Sequence, residues 1–94
     1  MTQEESTELQ HMKKLFGKLQ KLQFSTIGDS ALSIDLDSGG YLHSMNVYVR
    51  VNGANGKTLL LKIFCLATFL SYRENEDTCN ACIEFVNAHR TLTV

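Results

Sequence analysis

Proline is absent from this 94-residue chain, so its six glycines carry the punctuation. Excess charge is absent too. Nine Lys and Arg stand against ten Asp and Glu, for a net charge of −1. That balance lacks the basic footprint of a nucleic-acid binder, and no nucleic-acid partner is expected. No apolar run reaches the ~18 residues that a membrane span requires. The segment TLLLKIFCLATFL comes nearest, and Lys62 interrupts it, so no membrane partner is expected. Cysteines are few and odd in number, at three. With the polar, acidic opening MTQEESTELQ, unlike a secretory signal, they lead to the expectation of free thiols in a reducing, cytoplasmic setting. Repeats, low-complexity tracts and linkers are missing as well. What remains is an ordinary globular composition, 44% hydrophobic and 20% charged, expected to form one α+β domain over residues 1–94. Its core is thin, since a chain of this size buries only roughly 60–65% of its unfolded surface.

The first segment reads as a helix. Leu9, Met12, Leu15, Phe16, Leu19 and Leu22 recur at three- and four-residue spacing and draw one apolar stripe. Thr2 with Glu5, or Ser6, is the expected start. Lys13, Lys14, Lys18 and Lys21 follow the early glutamates Glu4, Glu5 and Glu8 and read as a solvated face. After Gln23 the period becomes alternating, and FSTI reads as a short strand ending at Gly28-Asp29-Ser30. In ALSIDLD, Leu32, Ile34 and Leu36 share one face; in the next run Met45, Val47, Val49 and Val51 do. The run KTLLLKIFCL is the third strand. A last helix starts between Ser71 and Thr78 and ends near His89, and RTLTV begins to alternate after it. The architecture expected is a two-layer α+β domain, an antiparallel meander of three to four strands with N- and C-terminal helices on one face.

Side-chain parity sets the expected register. A two-residue turn at Gly39-Gly40 places Leu36 opposite His43, Ile34 opposite Met45 and Leu32 opposite Val47, with all apolar residues on one face. For the next hairpin, placing Leu59, Leu61, Ile63 and Cys65 beside the valines requires an odd-length loop. A two-residue Asn55-Gly56 turn breaks that arrangement, so a longer loop or a bulge is expected.

The segment DTCNACIEFVNAHR contains the only arrangement suggestive of redox or metal chemistry. Were Asp77 the N-cap, Cys79 would lie in the first helical turn, where the dipole activates a thiol, but Glu74, Glu76 and Asp77 oppose a thiolate. With Ser71 as the cap and Glu74 completing a capping box, Cys79, Cys82 and Val86 form one buried stripe instead. That is the reading preferred. Cys82 and His89 lie about 10 Å apart along a helix axis, too far for one zinc ion at about 2.0–2.3 Å from each ligand. No metal ligand, cofactor or catalytic residue is assigned. His11, His43 and His89 stand against no evident nucleophile, and Asp35 and Asp37 read as solvated carboxylates.

The order of elements, with the final helix ACIEFVNAH carrying Asn87 near its end, resembles the YbjN-like group, over roughly residues 9–89. That group shares its α+β fold with class I type III secretion chaperones. The resemblance implies a small cytoplasmic regulator or chaperone-like binder, several of whose relatives dimerise. It also implies further strands and a helix beyond this chain's last residues, so the domain is read as incomplete at its C-terminal end. The C-x-x-C is no feature of the group, and no functional residue is carried over.

The function expected is therefore that of a non-enzymatic interaction module, chaperone- or adaptor-like or regulatory, that meets a protein partner or forms a homodimer. Its expected contact surface is the second sheet face, with Tyr48, Leu60, Phe64 and Leu66 as apolar groups among Arg50 and Lys62. Cover by ATFLSY or RTLTV would remove that surface. The competing expectation is a small-molecule binder or small enzyme using a helix–sheet pocket near His43.

Overall fold

A computed structural model describes residues 7–39 and 43–91. The elements are α1 (Thr7–Ser25), β1 (Leu32–Ser38), β2 (Ser44–Asn52), β3 (Thr58–Ala67) and α2 (Tyr72–His89). The strands form one antiparallel sheet in the order β1-β2-β3, and both helices share a core with one of its faces. This is the expected α+β architecture, with three strands.

In α1 the apolar stripe buries Met12, Leu15, Leu19 and Leu22, while the four lysines stay exposed. Its expected capping residues Thr2, Glu5 and Ser6 lie outside the described residues. The helix runs on through Phe24 and Ser25, so the strand expected over FSTI does not form. Local hydrogen bonding explains the difference. Ser25 Oγ donates to the Leu22 carbonyl at 2.7 Å, and the Thr26 hydroxyl and N–H both donate to the Gln23 carbonyl. These donors satisfy carbonyls that a helix end otherwise leaves open. Gly28, at φ +90°, then reverses the chain. The buried Asp29 carboxylate ties this turn to the segment after α2, accepting from Thr91 N–H at 2.8 Å and from Thr91 Oγ1 at 2.6 Å.

Leu32, Ile34, Met45, Val47 and Val49 point into the core, as alternation predicts. The β1–β2 register is nevertheless displaced. Leu36 faces Val47, Ile34 faces Val49 and Leu32 faces Val51, so the connection is longer than a two-residue turn at Gly39-Gly40. Each partner has moved by four residues, an even number, and every side chain keeps its face.

The β2–β3 hairpin reverses an expectation. Asn52 faces Thr58 across the loop 53–57, which Asn55 Oδ1 braces by accepting from Lys57 N–H and Gly56 turns at φ +79°. The register then slips, so that Val51 faces Leu60 and Leu59 has no partner. An odd loop and a one-residue bulge cancel. Val49 faces Lys62, Val47 faces Phe64 and Met45 faces Leu66. Phe64 and Leu66 therefore belong to the core, and Leu59, Leu61, Ile63 and Cys65 do not. Gly53 accommodates the displaced residue, because a Cβ there would stand 3.3 Å from Leu59 Cγ.

Ser71 caps α2 with both halves of the capping box. Its Oγ accepts from Glu74 N–H at 3.1 Å, and Glu74 Oε2 accepts from Ser71 N–H at 2.9 Å. Cys79, Cys82 and Val86 are fully buried on one stripe, as the preferred reading requires. The packing of β2 predicts that Val49→Asp lowers the urea midpoint severely, by several kcal/mol of stability, because an unpaired carboxylate enters the core. Arg50→Ser, on the opposite face, is expected to cost about 0.5–1 kcal/mol at most. Denaturation of the two variants side by side checks the assignment of faces.

Candidate functional site

The sheet has two edges, β1 and β3, and they are finished differently. In an antiparallel ladder alternate residues turn their N–H and C=O toward the neighbouring strand and the others turn them away. Thr68 N–H donates to the His43 carbonyl at 2.9 Å, which sets the phase on β3. Leu60, Lys62, Phe64 and Leu66 bond to β2, while Leu61, Ile63, Cys65 and Ala67 turn their main-chain groups outward. At Ala67 both outward groups are taken by one side chain of α2. Asn75 Oδ1 accepts from Ala67 N–H at 3.1 Å, and Asn75 Nδ2 donates to the Ala67 carbonyl at 2.8 Å. The buried Asn75 amide thus stands in for one residue of a further strand. Between the bulge at Leu59 and this clamp lies a stretch, Leu61 to Cys65, that no hydrogen bond among the described residues caps.

On β1 the outward groups belong to Leu32, Ile34 and Leu36. Leu32 N–H donates to the Asp29 carbonyl, and the Ile34 carbonyl accepts from Gln23 Nε2 at 2.8 Å. The exposed carboxylates of Asp35 and Asp37 flank this edge, a charge pattern that discourages pairing.

The outer sheet face is graded. On the β1 side lie Ser33, Asp35 and Asp37; in the middle, Arg50, Tyr48 and Asn46; on β3, Leu61, Ile63 and Cys65. Arg50 Nη1 bonds Asp35 Oδ2 at 2.6 Å in a half-exposed ion pair. The apolar end carries the exposure. Leu59 is 72%, Leu61 46% and Ile63 49% exposed, with Leu60 at 45% on the other side of the same strand. Lys62 also points to the helix side, where its Nζ lies 5.1 Å from the Phe85 ring centre and 5.5 Å from that of Phe64. An edge position lets the ammonium reach water while its stem covers the two rings.

Of the six residues expected to form the contact surface, the structure brings Tyr48 and Arg50 together on the outer face. Leu60 and Lys62 lie on the helix side at the rim, and Phe64 and Leu66 are buried in the core. Alternation alone missed Leu61, Ile63 and Cys65. The signal that finds them is the two-residue Asn55-Gly56 register, which places Ala54 opposite Lys57 and thereby Val49 opposite Lys62. ATFLSY leaves this face uncovered at Phe69, which is itself exposed, and the last residues of RTLTV lie outside the described ones.

The remaining sequence-derived sites are structural. Burial raises the Cys79 thiol, against a smaller opposing pull from Lys18, and pushes Cys82 from 9.0 up to about 12. His11 stacks on Tyr72 with ring centres 4.5 Å apart and approaches Glu76 at 3.8 Å, joining α1 to α2. His89 Nδ1 contacts the Phe85 carbonyl at 2.8 Å. A cavity of about 600 Å³ opens beside β1, lined by Gln23, Phe24, Ile27, Asp29 and Ile34 among others. It does not include His43, which is exposed and lies six residues, roughly 20 Å, along β2 from the level of Ile34. The described residues hold no cluster of three or more His, Cys, Asp or Glu able to take a metal ion, and no helix among them is long and apolar enough to cross a membrane.

Three measurements follow from this geometry. A thiol reagent at neutral pH is expected to modify Cys65 rapidly and Cys79 and Cys82 only on unfolding. Both buried thiols hold their protons more tightly folded than unfolded. Their contribution to stability is full below the ordinary thiol pKa of 9.0 and is lost as pH rises above it, for Cys82 up to about 12, which urea midpoints across that window will show. Asn75→Ala is expected to cost about 2–3 kcal/mol, because two main-chain groups of the buried Ala67 lose their partner together. Its denaturation midpoint measures that loss.

Comparison of the chain with family models, with curated proteins and with solved structures gives no match.

Proposed function

We propose that this chain is a non-enzymatic protein-interaction module, chaperone- or adaptor-like, that meets its partner through β3 and the adjoining outer face. The observation that carries the reading is the run Leu59, Leu60, Leu61 and Ile63, each between 45% and 72% exposed on one strand. Scattered exposed leucines are ordinary; a contiguous set beside Tyr48 and an uncapped strand edge is the composition of a contact surface. Arg50, Lys62 and Asp35 supply the charged rim that such surfaces carry. The resemblance to YbjN-like proteins, cytoplasmic and chaperone-like, favours the same class. Structural duties for His11 and His89, and burial of Cys79 and Cys82, favour binding over catalysis.

A photoreactive amino acid in place of Leu61, expressed in the native host, tests the reading. It is expected to yield protein adducts several-fold more abundant than the same probe in place of Lys14, on the exposed face of α1. Equal labelling at the two positions would remove the basis for a contact surface on β3.

A further inference from the structure

We infer that the open edge of β3 pairs with β3 of a second copy of this chain, antiparallel and centred on Ile63, to join two three-stranded sheets into one. The inference rests on the reading of β3 as a contact surface and specifies its occupant and register.

The uncapped window itself selects the register. Leu61, Ile63 and Cys65 turn their main-chain groups outward, Ala67 is closed by Asn75, and the ladder is broken on the other side at Leu59. The open window is therefore symmetric about Ile63. A two-fold axis there sets Ile63 opposite Ile63 of the second copy and Leu61 opposite its Cys65, and reciprocally. Each of the three pairs is a hydrogen-bonded pair that exchanges both N–H···O bonds, so the uncapped groups of both edges are used and no capped group is needed. An extended segment of another protein would satisfy the same groups; a second copy does so reciprocally and brings its own Phe64 opposite Lys62.

Side chains agree with that register. On the outer face Ile63, Leu61 and Cys65 meet their counterparts, extending the apolar end of a face whose acidic end lies on β1. On the helix side Leu60 faces Leu66 of the second copy and Lys62 faces its Phe64. Lys62 is the one charge on β3, and an inward-pointing lysine on an edge strand ordinarily blocks pairing. Here it is tethered over the Phe64 and Phe85 rings of its own chain, and centring on Ile63 gives it an aromatic neighbour across the axis. Centring one residue earlier would set Lys62 against Lys62. The β1 edge offers no equivalent, since Asp29 and Gln23 occupy part of it and Asp35 and Asp37 would face like charges.

Sedimentation equilibrium of the purified chain across a hundredfold concentration range, from micromolar upward, tests the inference. Wild type is expected to be dimeric over the upper part of the range. Ile63→Pro removes an N–H that points away from β2, so it is expected to stay folded and lose the dimer, shifting dissociation at least tenfold. Ile63→Lys, on a side chain already half in solvent, serves if the proline variant does not fold. Register is read by Leu61→Cys, which stands opposite the native Cys65 of the second copy at a separation a disulfide spans. Diamide oxidises the two thiols to one disulfide and takes up their two electrons and two protons. A covalent dimer is expected from this variant and not from wild type, whose two Cys65 residues lie four positions, about 13 Å, apart along the paired strands. A wild type that stays monomeric throughout, a dimer unchanged by both Ile63 substitutions, or a dimer of Leu61→Cys that fails to cross-link would each overturn the inference. A monomeric wild type that still gives adducts from position 61 in cells would do so while leaving the interaction-module reading in place.

Discussion

Leu59 has no partner on β2, and that single unpaired residue determines which side of β3 the helices cover. The strand is apolar at both parities: Leu59, Leu61, Ile63 and Cys65 on one, Leu60, Phe64 and Leu66 on the other. Sheet hydrogen bonding is satisfied equally well in either phase, so packing must choose. The phase adopted buries Phe64 and Leu66, each worth about 1.5–3 kcal/mol when removed from water. It brings the Phe64 ring within 6.0 Å of Phe85 on α2 and sets Lys62 above both. The exposed leucines, the position of α2 and the uncapped edge all descend from this slip of one residue.

Much of the fold is legible in the sequence. The Ser71-x-x-Glu74 pattern marks the start of α2, and the spacing of Cys79, Cys82 and Val86 marks a buried stripe rather than a reaction centre. The faces of β1 and β2 were legible as well. They do not depend on the turn length at Gly39-Gly40, because the register differs from a two-residue turn by an even number and parity is blind to even shifts. The face of β3 was not legible, for a physical reason. Its run of leucine, isoleucine and phenylalanine gives alternation nothing to read, and its one informative residue, Lys62, pointed the wrong way. A lysine is expected outside; at a sheet edge a long stem can lie on the core side and still deliver its charge to water. FSTI failed for a different reason, since Ser25 and Thr26 close a helix end with their hydroxyls where their neighbours suggested a strand.

Two polar side chains, Asn75 and Gln23, hold main-chain groups at opposite edges of the sheet. Neither stands out in the sequence, because nothing in its spacing separates an amide that completes an edge from one that faces solvent. They matter more than their number implies in a domain with so thin a core. An amide that binds both groups of one strand residue replaces part of a missing neighbour, and it also limits how far a neighbour can extend. The candidate surface is thus bounded by hydrogen bonding as much as by apolar exposure.

The bonds between Asp29 and Thr91 join positions 62 residues apart and enclose every strand and the whole of α2. Closing so long a segment is entropically worthwhile only after the intervening elements have docked, so this tie belongs among the last contacts to form and the first to open. Its described partners are a buried carboxylate on one side and an exposed residue's amide and hydroxyl on the other. The end of α2 is therefore latched rather than cemented. Fraying can begin there and leave the β3 hairpin and its packing on α2 undisturbed.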